Sequence, residues 1–82
     1  MITNNDISIQ YDVFRKNIKY YRKKNNLTQE KLAELSNVSE SYIKEIESNK
    51  EFTNVTLTII FKISKALGVS VEKLFKITFE ED

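Results

Sequence analysis

Ser41, Lys44, Glu45 and Ser48 are spaced so that, at about 100° per residue of helix, they fall on one side of a short segment whose other side carries Ile43 and Ile46. Each of the four donates or accepts hydrogen bonds. Glu40 at the leading edge and Tyr42 on the flank lengthen the row, and a rod of helix width that presents such a row suits the major groove of a duplex. The chemistry on offer is recognition, not bond making. The chain has no Cys and no His, which removes disulfides, zinc sites of the usual ligand sets, thiol catalysis and imidazole base catalysis. Its carboxylates do not pair at a spacing that marks a catalytic site, so a solvated surface accounts for them. No enzyme activity, metal or cofactor is expected.

The elements that would hold this row announce themselves through their starts. An apolar residue followed by Ser or Thr, with another apolar residue four positions later, marks a helix entry: the hydroxyl accepts from an otherwise orphaned backbone N–H, and the two apolar side chains pack across it. Leu27-Thr28 with Leu32, Val38-Ser39 with Ile43, Val55-Thr56 with Ile60, and Val69-Ser70 with Leu74 all fit. The eleven residues from Thr28 to Ser39 leave room for a two-turn helix, a tight turn and the next cap, which is the spacing of a DNA-binding helix-turn-helix.

Five helices are predicted. The first runs from about Asp12 to Lys24 and buries Phe14, Ile18 and Tyr21; the second, Gln29 to Leu35, buries Leu32 and Leu35. The third is Glu40 to Ser48. The fourth, Leu57 to Leu67, buries Leu57, Ile60, Ile63 and Leu67, and the fifth covers Val71 to Phe75. Zero Pro and one Gly favour helix throughout. Asn26, Asn37, Asn49 and Gly68 stand where helices end, and Asn is the non-Gly residue best suited to a left-handed cap. Ala33 is small enough to let the second and third helices cross closely. Ile7, Ile9 and Tyr11, and again Phe75, Ile77 and Phe79, alternate with polar residues, which permits short extended segments or frayed ends.

Eighty-two residues make one small domain. The expected division is an N-terminal arm over 1–11, the helical domain over 12–75 and an acidic tail over 76–82. A net charge of +1 carries no bulk signal for nucleic acid, so the case rests on where charges sit. Arg15, Lys16, Lys19, Arg22, Lys23 and Lys24 crowd one segment, although a solvated helix face explains that cluster equally well. The first ten residues form neither a basic leader nor an apolar core, and no apolar run approaches the roughly eighteen residues of a membrane span. A cytoplasmic location is expected.

Thr28 and Gln29 open the second helix with a hydroxyl and an amide, donors that suit a phosphate. Capping accounts for Thr28, which leaves Gln29 as the better candidate for that contact. The stretch LTQEKLAELSNVSESYIKEIE resembles the lambda-repressor-like, Cro-type (XRE) helix-turn-helix family, and FRKNIKYYRKKNN before it and LTIIFKISKALGVSVEKLF after it resemble that family's first, fourth and fifth helices. Gln after the cap, Ala four positions later, an apolar residue in the turn and the Ile-Glu ending occur here together.

The resemblance implies an all-α, five-helix bundle that regulates transcription by binding double-stranded operator DNA as a homodimer. Ser39 to Ser48 would be the recognition helix, with Gln29 on a phosphate, Glu40, Ser41 and Glu45 at bases, and the loop around Lys50 at the backbone. It also implies an ion pair between Arg22 and Glu47. Asn37 and Asn49 replace the family's usual Gly, the loop 49–55 carries Phe52, and the recognition helix holds Glu40, Glu45 and Glu47 against Lys44. Carboxylates there can accept from cytosine N4, with Lys31, Lys44, Lys50 and the basic first helix as candidates for attraction to phosphates. Apolar surplus at Ile59, Phe61, Phe75, Ile77 and Phe79 is expected to form the dimer interface. The alternative function is a partner-binding module, of antitoxin type, on the same fold.

Overall fold

The computed structural model describes residues 1–48 and 54–77. Among them the chain forms five helices in the order α1 (Asn4–Lys24), α2 (Gln29–Ser36), α3 (Glu40–Ser48), α4 (Leu57–Leu67) and α5 (Val71–Leu74), with no strand. Four hydroxyl caps sit where the entry pattern puts them: Thr28, Thr56 and Ser70 accept from the N–H groups of Lys31, Ile59 and Lys73, and Ser39 accepts from Tyr42 N at 3.1 Å. Asn26, Asn37 and Gly68 adopt left-handed backbone at φ 58°, 56° and 70°. Asn49 lies outside the described residues.

Phe14 and Ile18 of α1, Leu32 and Ala33 of α2, Ile43 and Ile46 of α3, Ile63 and Leu67 of α4 and Leu74 of α5 make one continuous core. Two asparagines turn α1 into the spine that holds α4 and α5. Asn17 is fully buried and its amide nitrogen donates to the carbonyls of Lys73, Leu74 and Lys76 at 2.5–3.2 Å, capping the carbonyl end of α5. Asn25 does the same for α4, donating to Leu67 O at 2.9 Å.

Several expectations need correction. Helix α1 starts at Asn4 rather than Asp12, so Ile7, Ile9 and Tyr11 lie on helix and not on an extended segment or arm. Thr3 is its cap, in a reciprocal box: the Thr3 hydroxyl receives the Asp6 N–H, and the Asp6 carboxylate receives the Thr3 N–H at 2.9 Å. These bonds hold the Asp6 carboxyl below its usual range, the backbone bond contributing most. Leu35 is 50% exposed and Leu57 63% exposed, because α2 and α4 turn their Ala33 and Ile63 sides inward and leave the margin of each stripe outside. Ser36 ends α2 in place of Leu35, buried with its hydroxyl donating back to Leu32 O at 2.6 Å. Phe75 and Ile77 follow α5 without forming a strand, and Phe79 and the rest of the acidic tail lie outside the described residues.

Candidate nucleic-acid interface

Helix α3 divides as its sequence requires. Ile43 and Ile46 are fully buried, whereas Ser41, Lys44, Glu45 and Ser48 are exposed and Glu40 is half-exposed at the N-terminal edge. α2 and α3 are locked by Ala33, whose small side chain is 3% exposed, and by the Val38 N–H donating to Ala33 O at 3.0 Å across the turn. The exposed row is therefore carried on a rigid two-helix unit.

Internal bonds engage several members of that row. Lys44 Nζ lies 3.2 Å from the Glu40 carboxylate one turn earlier, an exposed pair worth about 0–1 kcal/mol and easily exchanged for a phosphate. The Ser48 hydroxyl donates to Lys44 O at 2.6 Å. Tyr42 is turned to the chain entering α4: its hydroxyl donates to Asn54 O at 2.7 Å and its ring packs on the core. Burial raises the Tyr42 hydroxyl pKa and the Glu45 charge adds to the rise. Tyr11 of α1 shares this environment; burial first, then Tyr42 and Glu45, push its phenol to about 12.

Arg22, Glu47 and Gln29 form a single network behind the row. Arg22 grips Glu47 in bidentate fashion, Nε to Oε2 at 2.7 Å and Nη2 to Oε1 at 2.9 Å, with the two side chains only 10% and 2% exposed. Its Nη1 donates to Leu27 O at 2.8 Å, just ahead of the Thr28 cap. Gln29 adds a third donor, Nε2 to Glu47 Oε1 at 3.1 Å. The amide thus has an intramolecular partner that the sequence did not disclose.

The basic cluster of α1 is partly spent inside the protein. Arg22 is buried, Arg15 pairs with Asp12, and Lys24 lies 5.5 Å from the centre of the Tyr20 ring. Lys31 pairs with Glu34 at 3.1 Å in the open, and Lys50 lies outside the described residues. Of the expected interface residues, Ile59 is half-buried against the core, whereas Phe61, Phe75 and Ile77 are exposed. Phe75 stacks on Phe14 with ring centres 5.1 Å apart. It rims an apolar groove of about 170 Å³ that Ile7, Gln10, Tyr11, Phe14, Val55 and Ile60 also line. Asn17 and the Tyr11 groove were missed in the sequence. Asn17 had a signal, since a polar residue one turn from Phe14 on the buried stripe of α1 demands a partner.

The helix-turn-helix family model matches residues 18–74. This chain belongs to that family. It is similar to control protein C.SmaI of Serratia marcescens, 41% identical over 63 residues, which are 77% of this chain and 73% of that protein. It is also similar to the HTH-type transcriptional regulator MJ0272 of Methanocaldococcus jannaschii, 43% identical over 65 residues, 79% of this chain and 92% of that protein. The crystal structure of the restriction-modification controller protein C.AhdI from Aeromonas hydrophila superposes with a TM-score of 0.72 at 32% identity, covering 79% of this chain and 96% of that one. The chain is a DNA-binding transcriptional regulator with the Cro-type, XRE-family fold. Among the described residues no helix is long and apolar enough to cross a membrane.

Proposed function

We propose that the protein acts as a homodimer on a two-fold symmetric operator, with α3 in the major groove and the start of α2 on the adjacent phosphate. The observation that carries this reading is the uncovered polar side of α3, where Ser41, Lys44 and Glu45 stand outward from fully buried Ile43 and Ile46. Glu45 and Glu40 would accept from cytosine N4, so their charge costs attraction to the backbone but rejects bases that offer only acceptors. Lys44 would leave Glu40 for a phosphate, and Lys31 would leave Glu34 likewise. The dimer would form through Phe61, Phe75 and Ile77. The names of C.SmaI and C.AhdI favour a controller role over other uses of the same fold.

The test is selection of bound duplexes from random DNA, followed by a salt titration of the winner. Palindromic half-sites about 10–10.5 base pairs apart, and an affinity that falls steeply as salt rises, are the expected results. Equal binding of the selected and scrambled duplexes would reject the reading. A salt-insensitive complex with another protein would favour the partner-binding alternative.

A further inference from the structure

We infer that Glu47 is a positioning residue for DNA binding, because it orients the Gln29 amide so that a donor, and not the carbonyl, meets the phosphate. The inference rests on the proposed contact between Gln29 and the backbone. An ionised carboxylate can only accept, so a side-chain amide in contact with it must present its nitrogen. Gln29 Nε2 does so, at 3.1 Å from Glu47 Oε1, which engages one N–H and leaves the second for an outside acceptor. Without Glu47 the amide of a half-exposed Gln can rotate and turn its carbonyl oxygen towards the same place, where a phosphate would be repelled.

The carboxylate is itself fixed. Two Arg22 nitrogens hold both of its oxygens, and the third Arg22 nitrogen holds Leu27 O, so the group that aims Gln29 is tied to the chain that enters α2. With its side chain 2% exposed, Glu47 touches no DNA in this arrangement and works only through Gln29. A Gln side chain ordered before binding loses less freedom on contact, an advantage of roughly three- to tenfold in affinity for one rotamer-rich side chain.

A double-mutant cycle on the selected operator tests this, using Gln29→Ala, Glu47→Gln and the pair together. Glu47→Gln keeps the shape and one acceptor for Arg22 but can also donate, so it no longer dictates which end of the Gln29 amide faces it. The expected result is a roughly three- to tenfold loss of affinity for Glu47→Gln, with Gln29→Ala costing much less in that background than in the wild type. Equal losses from Gln29→Ala in both backgrounds overturn the positioning role while leaving the phosphate contact standing. No loss from Gln29→Ala in the wild type overturns both. A second readout is the Gln29 side-chain amide in the NMR spectrum of the free protein. Its two proton shifts are expected to be dispersed in the wild type and to collapse towards random-coil values in Glu47→Gln, with the Ile18 and Ile43 methyl signals unmoved. Should Glu47→Gln fail to fold, random-coil Gln29 amide shifts in the wild-type protein would by themselves refute the proposal.

Discussion

At the residue scale the Arg22–Glu47 pair matters more for what its loss leaves behind than for any net gain. Taking both charges out of water offsets most of their attraction, but a guanidinium held 10% exposed without its carboxylate keeps the desolvation cost with no counter-charge, only the Leu27 carbonyl. Glu47→Ala is expected to lower unfolding free energy by about 3–5 kcal/mol, and Arg22→Met with Glu47→Leu to recover much of that loss, as read from urea midpoints at constant slope. Tyr11 supplies a second test with a defined sign. Its phenol is raised from 10.0 to about 12, so the native state holds a proton that the unfolded chain releases first. The stabilisation is complete below pH 10 and is lost as pH rises towards about 12. Tyr11→Phe is expected to flatten the fall of melting temperature across that window, leaving the smaller slope contributed by Tyr42, which shifts the same way. An unchanged slope would mean that the Tyr11 hydroxyl is not desolvated. Beyond the Arg22–Glu47 pair, which the family resemblance implied, little of this could be read in the sequence. The partners of Asn17 lie 56 to 59 residues away, and the grip of Gln29 on Glu47 joins two helices whose angle no local pattern specifies.

At the element scale the sequence spoke clearly, because a cap and an apolar stripe are local. Helices α3 and α4 keep their expected bounds, and at α4 the hydroxyl, the stripe and the stop residue Gly68 all agree. Helix α1 shows how such a reading fails. Ile2-Thr3 with Ile7 repeats the entry pattern of the other four helices, yet the alternation of Ile7, Ile9 and Tyr11 competes with it, and only the capping box decides for helix. Leu35 and Leu57 fail differently: periodicity finds a stripe but not which margin of it the neighbouring helix covers. Two substitutions probe this level. Thr3→Ala removes a cap on an exposed end and is expected to speed amide exchange through the first turns of α1, at a local cost of about 1 kcal/mol, with the global melting temperature nearly unchanged. Ala33→Leu acts on the α2–α3 crossing, where that side chain is 3% exposed, and is expected to cost about 1–3 kcal/mol by overpacking. It should also weaken operator binding beyond its effect on folding, because α3, the proposed recognition helix, would be propped out of register. Wild-type affinity in a folded Ala33→Leu protein would show that the spacing is not critical.

At the scale of the whole molecule one weakly charged domain has little to hold the two-fold symmetric operator proposed for it. A net charge of +1, with Lys44 and Lys31 each shared with a carboxylate, offers few phosphate contacts per copy, so one domain alone is expected to bind with a shallow salt slope. Two copies joined rigidly double those contacts and make the second binding event intramolecular, raising avidity without new contacts. The apolar residues Phe61, Phe75 and Ile77 lie outside the core at 49%, 38% and 58% exposure, on or just after the two helices that α1 holds through Asn17 and Asn25. A joint built there would inherit the rigidity of that spine and fix the distance between the two recognition helices. Phe61→Ser is therefore expected to shift sedimentation from dimer to monomer with little loss of fold, since Phe61 is 49% exposed and lies outside the core cluster. The monomer would bind a single half-site and a full operator almost equally, with about half the wild-type dependence of affinity on salt. A Phe61→Ser protein that stays dimeric would move the joint elsewhere. A wild-type protein that sediments as a monomer at high micromolar concentration, yet discriminates full operators from half-sites, would require DNA itself to bring the copies together.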